Sequence, residues 1–283
     1  MRAEERLRYY ASIFPIVEVD STYYFPPTED IAGLWVQRTP AGFTMSVKAY
    51  SLLTGHPTRP DSLWPEVADL VPVEHKEKRS VYLSHLPEAG VDQAWELFRR
   101  ALMPLHSAGK LGTVLFQYPH WFRPNAEHRK ALSELRGRLP DYDLAVEFRH
   151  GSWLSDDERG RTLALLEKEG LTFTCVDEPQ GFDSSVPPVV AATADIALVR
   201  FHGRNTETWE APYLTAAERF AYRYREEELA EWVPSVKQLA SSARETHVLM
   251  NNCYRDYAVD NGRQLATLLG EGLQPDARAE IGN

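Results

Sequence analysis

The sequence predicts an α/β fold, a TIM-barrel-like (β/α) barrel of parallel strands, and three observations predict it. Short apolar runs rich in branched residues alternate with helix-length amphipathic stretches along 283 residues, the pattern of a parallel sheet covered by helices. Every one of those runs ends in a polar or charged group, and folds of this class bind ligands outside the carboxyl ends of their strands. The length suits one barrel domain, and 43% hydrophobic with 25% charged residues gives it an ordinary core.

The elements follow in order. Residues 2–12 read as a helix with Leu7 and Tyr10 inward. Ile16 to Asp20 reads as a strand with Glu18, Asp20 and Thr22 on one face. Pro26-Pro27 stops it, and Thr28 with Glu29 and Asp30 begins a helix to about Arg38. Residues 43–48 alternate, with Phe43, Met45 and Val47 on one side and Thr44, Ser46 and Lys48 on the other. The region 60–110 reads as an elaborated insertion, with a helix near 64–70, an apolar stretch at Val81-Tyr82-Leu83 and a long helix at about 91–108. A strand at 111–117 ends in Gln117, and a helix at 125–136 stops before Pro140.

Residues 143–149 form the strand that organises the rest. Leu144-Ala145-Val146 is a buried run, and alternation places Ala145, Glu147 and Arg149 on one face. The helix at 155–169 has Ser155 as N-cap, three acidic residues in its first turn and Gly170 at its C-cap. A strand at 172–177, a Pro- and Ser-rich loop at 179–190 and a strand at 196–201 lead into His202-Gly203-Arg204. Helices at 215–221 and 226–242, a strand at 247–251 and a helix at 257–269 complete a single domain over 1–270, with a mobile tail at 271–283. That gives seven strands, where a closed barrel of this class has eight, and the chain opens on a helix with no strand before it. The expectation is a barrel lacking its first strand, because the native chain starts upstream of Met1. The alternative is that the stretch at 80–84 fills the slot.

The totals exclude several classes. A net charge of -10 argues against a bulk nucleic-acid coat or a binder of anionic membranes. The two cysteines, Cys175 and Cys253, have no metal-ligand or redox spacing, which makes a reduced cytoplasmic protein the expectation. The charged N-terminus has no apolar leader, and no apolar run approaches membrane-spanning length. No glycine-rich dinucleotide fingerprint or phosphate-binding loop follows any strand, so the sequence names no cofactor.

Glu18, Asp20, Lys48, Gln117, Glu147, Arg149, Asp177, Arg200, His202, Asn251 and Asn252 all sit at strand ends. In a barrel such ends converge over one mouth, and a mutually compensating set of acids, bases and amides is the affordable way to bury charge there. Glu147 reads either as a general acid–base or as a partner for Arg149. Lys48 reads as an anion-binding or Schiff-base lysine, or as an ion pair with Glu18. Arg200, His202 and Arg204 around Gly203 suit a phosphate or carboxylate, or form a solvated charge cluster. Glu18, Glu147, Asp177 and His202 are possible metal ligands, though no local spacing specifies a site. Cys175 reads as core, Tyr222, Tyr224 and Trp232 as packing, and Ser152 lacks the context of a nucleophile elbow.

Glu18-Val19-Asp20-Ser21-Thr22-Tyr23-Tyr24, Phe43 to Lys48, Gln117-Tyr118-Pro119, Val146 to His150 with Ser152-Trp153, Arg200 to Arg204, Tyr222-Arg223-Tyr224 with Glu228-Leu229 and Trp232, and Asn251-Asn252 occur in a familiar order. In these motifs the chain resembles the YecE-like family, domain of unknown function 72, from about residue 5 to 269. The resemblance implies a TIM-barrel-like fold and no assigned activity. Asp20 stands where the family usually has Asn, and the family's glycine- and tryptophan-containing opening strand precedes the helix at which this chain begins.

The functional expectation is an enzyme, a hydrolase, lyase or isomerase, acting by acid–base chemistry on a small polar, anionic substrate. Glu147, Lys48, Asp177 and His202 are the candidate catalytic residues. Glu18, Asp20, Gln117, Arg149, His150, Trp153, Arg200, Arg204, Asn251 and Asn252 are the candidate substrate contacts. The rival readings are a non-catalytic binder of a phosphorylated metabolite or nucleic-acid end, and a divalent-metal-dependent hydrolase or isomerase. The sequence sets no oligomeric state.

Overall fold

The computed structural model describes residues 3–273. In order they form α1 (Ala3–Ala11), β1 (Ile16–Val19), α2 (Glu29–Arg38), β2 (Thr44–Lys48), α3 (Pro65–Ala68), α4 (Val73–Lys76), α5 (Glu88–Ser107) and β3 (Leu111–Gln117). There follow α6 (Ala126–Arg138), β4 (Asp143–Glu147), α7 (Asp156–Lys168), β5 (Thr172–Asp177), β6 (Ile196–Phe201), α8 (Ala216–Arg219), α9 (Glu226–Ser242), β7 (Glu245–Met250) and α10 (Tyr257–Leu269). Parallel strands in chain order, interleaved with helices, make this an α/β fold of the TIM-barrel-like type, as expected. From residue 274 on, the expected mobile tail lies outside the described residues.

The chain divides into two compact units. The first comprises Met1–Pro119 with Glu134–Leu144, the second His120–Ser133 with Ala145–Asn283.

In the first unit β1 pairs with β2 from Ile16 opposite Thr44, and β2 pairs with β3 through a register irregularity between Met45 and Val47. Both faces of β2 are buried: Met45 and Val47 on one side, Ser46 and Lys48 on the other, as a strand in a parallel sheet requires. Thr28 caps α2 by accepting from the Ile31 amide at 3.3 Å, and α2 packs against α5, whose Ala94, Phe98 and Leu102 are buried. At the other end of α2 the buried Lys110 ammonium donates to Val36 O at 2.8 Å, Thr39 O at 2.7 Å and Thr39 Oγ1 at 3.0 Å. A cation is favoured there, because the carbonyls of a helix C-terminus carry partial negative charge.

The insertion differs in detail from the expectation. Its first helix shrinks to the single turn α3, a second turn α4 follows it, and α5 begins at Glu88. Val81 forms only an isolated antiparallel bridge to Thr58, so the 80–84 stretch supplies no parallel strand. Seven strands stand among the described residues.

In the second unit β4, β5, β6 and β7 run parallel and adjacent, with Ala145 opposite Thr172, Asp177 opposite Phe201 and Phe201 opposite Met250. Thr172 to Asp177 and Ile196 to Phe201 are buried throughout. Ser155 sits at the N-cap of α7, yet its hydroxyl donates to Ser152 O at 3.2 Å instead of capping. Among the described residues no helix is long and apolar enough to cross a membrane.

Candidate functional site

The register of the second unit sets the ends of its strands side by side. The His202 amide donates to Asp177 O and the Asn251 amide to Phe201 O, each at 2.8 Å, so the polar residues following β4, β5, β6 and β7 form one cluster.

Glu147 is its centre and is fully buried. Its Oε2 is paired with the Arg200 guanidinium, itself fully buried, and its Oε1 receives His202 Nε2 at 3.0 Å and lies 3.5 Å from Arg149 Nη1. Burial alone would push this carboxyl up. Arg200 foremost, with His202 and Arg149, outweighs burial and holds it well below the usual carboxylate range. His202 carries its proton on Nε2, because the Asn251 amide donates to Nδ1 at 2.9 Å. Burial, partly opposed by Glu147, lowers this imidazole to about 4, so the ring is neutral at pH 7.

Arg149 follows the end of β4 and joins a second carboxylate to the cluster. Its Nη1 lies 2.8 Å from Glu178 Oε2, and its guanidinium stacks 4.5 Å from the centre of the Trp209 ring. Glu178 Oε1 accepts from the Val186 amide at 2.8 Å. Burial raises the Glu178 carboxyl to about 7, against the opposing pull of Arg149 and that amide. Arg149 is the accessible member of the group: its side chain is 17% exposed, whereas those of Glu147, Glu178, Arg200 and His202 are at 0%. Trp209 is also tied by its indole N–H to Ser184 Oγ at 3.0 Å, and Phe220 lies against His202.

Asp177 has a different environment. Its Oδ1 accepts from Tyr224 Oη at 2.6 Å and Arg204 Nε at 3.0 Å, and its Oδ2 from Trp232 Nε1 at 2.6 Å and Arg204 Nη2 at 2.7 Å. Three side chains thus saturate both oxygens, an arrangement that locks a corner of the fold. Arg204 continues to Glu231 at 3.0 Å, and Asp177 and Arg204 line a cleft of about 470 Å³ with Glu231, Trp232 and Ser235. Gly203 makes the turn between the two groups. Its φ is +90°, and a Cβ there would stand 2.6 Å from Tyr222 Cβ, so the turn requires glycine.

The remaining expected contacts have the following partners. The Trp153 ring is fully buried, stacks on Phe148, and gives its N–H to Phe122 O at 2.6 Å, so it packs the core. His150 Nδ1 bonds Ser152 Oγ at 2.7 Å, and its Nε2 makes no hydrogen bond. Asn252 is fully buried and bonds Tyr222 O and Asn261 Oδ1, each at 2.9 Å. Glu18, Asp20, Lys48 and Gln117 belong to the first unit. There Lys48 pairs with Asp20 at 2.8 Å and sits over the Tyr23 ring, Glu18 helps burial raise the Tyr10 phenol to about 12, and Gln117 ends β3 half-buried. Among the described residues no three His, Cys, Asp or Glu side chains converge to hold a metal ion. Sequence reading missed Glu178 and Trp209. The acidic pair Asp177-Glu178 at a strand end was the available signal for the first, and nothing local marks the second.

Comparison with known proteins agrees with this fold. A family profile described as "Protein of unknown function DUF72" matches residues 1–280. The UPF0759 protein YunF of Bacillus subtilis (strain 168) is 33% identical over 280 residues, covering 96% of this chain and 90% of that protein. The crystal structure of a DUF72 family protein from Enterococcus faecalis V583 at 3.10 Å superposes with a TM-score of 0.79 and 27% identity, over 95% of this chain and 90% of that one. One from Thermotoga maritima MSB8 at 2.20 Å gives 0.74 and 32%, over 96% and 91%.

Proposed function

The chain belongs to the DUF72 family of proteins of unknown function, and from the cluster after β4 to β7 we propose that it is an enzyme using acid–base chemistry on a small, polar, anionic substrate. The observation that supports this is the buried network Glu147–Arg200–His202–Arg149–Glu178. Removing several charges from water costs several kcal/mol per ion before pairing, and replacing such a network by apolar packing is often neutral or stabilising. A network held at strand ends with one guanidinium partly open fits a site better than it fits a stability device.

Within this reading Glu147 serves as a fixed anion. Sequence reasoning gave it the acid–base role, but its ionised, inaccessible carboxylate suits holding Arg200, Arg149 and His202 in place. Arg149 meets the substrate's negative charge, and Asn251 sets the His202 tautomer. The saturation of both Glu147 oxygens also favours a second reading, a non-catalytic binder of a phosphorylated metabolite. Incubation with a cell metabolite extract, followed by mass spectrometry with Glu147→Gln as control, separates the two. Depletion of one anionic metabolite with appearance of a product in the wild type alone supports the enzyme. Saturable capture without chemical change supports the binder, and no capture rejects both.

A further inference from the structure

Arg149 is the one cation paired with Glu178 among the described residues, whereas Glu147 has the Arg200 cation and the neutral His202 ring besides. The groups acting on Glu178 are Arg149, the Val186 amide, Glu147 and Asp177, and the two acids among them are already paired, Glu147 with Arg200 and Asp177 with Arg204, so Arg149 is the cation that balances Glu178 itself. Arg149 is also the member of the network that solvent reaches. An anion entering the cluster must therefore engage the same guanidinium that neutralises Glu178.

We propose that Glu178 is the proton carrier of this site: an anionic ligand takes Arg149 from it, and the carboxylate, left buried without its counter-charge, takes up a proton as the ligand binds. This rests on the anion-binding reading above and names the residue that would exchange the proton. The balance is simple. The ligand's negative charge replaces that of Glu178 beside Arg149 and the proton comes from solvent: a monoanion leaves the net charge of the cluster unchanged, and a dianion such as sulfate makes it one unit more negative. The proton passes to the bound substrate during turnover, or returns to solvent when the ligand leaves unchanged. A carboxyl already raised to about 7 by burial needs little further change to do this at neutral pH.

Sulfate is the probe, because its own charge is constant across the pH range used. Titration calorimetry at pH 8 in two buffers of different ionisation enthalpy measures the protons taken up. The expected result is uptake approaching about one proton per sulfate, with affinity falling up to about tenfold per pH unit above pH 7 and levelling off below it. In Glu178→Gln, checked by its circular dichroism and melting curve, the uptake vanishes and the pH profile flattens. The wild-type buffer comparison stands alone if that variant does not fold. Sulfate binding to the wild type without proton uptake overturns the inference and leaves the anion site standing. Absence of sulfate binding at every pH overturns both.

Discussion

Lys110 and Arg200 are both buried cations, one in each unit, and they are satisfied in opposite ways. Lys110 precedes β3 and spends its three N–H donors on neutral oxygens at the end of α2. Among the described residues it pairs with no acid, and burial lowers its pKa. Arg200 lies within β6 and is paired with a buried carboxylate that also holds His202 and touches Arg149. The first cation ties one helix end to one strand start, a closed local arrangement. The second belongs to a chain of ionisable groups in which moving one charge changes the protonation of another. In barrels the ends where strands begin serve stability and the ends where they finish carry chemistry, and on the reading proposed above these two cations would follow that division.

Three experiments test the contrast, the largest expected effect first. Arg200→Met removes the cation closest to Glu147 and leaves a buried carboxylate short of compensation. The expected loss is about 3–5 kcal/mol of unfolding free energy in urea, with a marked rise in the carboxyl's pKa. A loss under about 1 kcal/mol would mean that Arg200 is no more integral to its surroundings than a surface pair.

Next comes pH. The folded state holds Glu178 at about 7 against 4.5 when unfolded, so between those values the folded chain binds the extra proton and lower pH stabilises it. His202 works in the other direction, at about 4 folded against 6.5 unfolded, so there the unfolded chain binds the extra proton and lower pH destabilises. Across their shared window the two contributions oppose each other. Glu178→Gln should therefore expose a decline in stability as pH falls from about 6.5, and His202→Gln a rise as pH falls from about 7, each with a slope up to about 1.4 kcal/mol per pH unit relative to wild type. Slopes of the same sign in both variants would break the account.

The smallest effect belongs to Lys110→Met. It strands neutral acceptors at a helix terminus and should cost about 2 kcal/mol, with sulfate binding and its pH profile unchanged. A changed profile would connect Lys110 to the cluster and erase the distinction.

The legible parts of this molecule are those written in local pattern. Leu144-Ala145-Val146 gave β4, and the polar group after each apolar run gave Glu147, Arg200 and His202. What alternation could not give is which partner each charge takes. Asp177 carries the same strand-end signal as Glu147, yet its oxygens are saturated by Arg204 together with Tyr224 and Trp232, the last two 47 and 55 residues away in sequence. Glu178 follows the last residue of β5, so the acidic pair marks a strand end without telling which of its two carboxylates meets Arg149. Lys48 shows the same limit: strand alternation does not say which acid a lysine takes, and the structure pairs it with Asp20, one step beyond β1. Lys110 sits before its strand begins, where a single lysine carries no pattern, and only the fold of α2 supplies its three acceptors.

The two cysteines have unequal environments. Cys175 lies within β5, and burial raises its thiol to about 11, which leaves it unreactive toward alkylating reagents at neutral pH. Cys253 is exposed and stands two residues after Asn251, whose amide bonds His202. A maleimide dye added to the unmodified wild-type chain thus attaches at one position, next to the segment that holds the imidazole. The molecule comes equipped with a single-point label from which local motion beside the charge cluster can be followed by fluorescence, with no engineered cysteine.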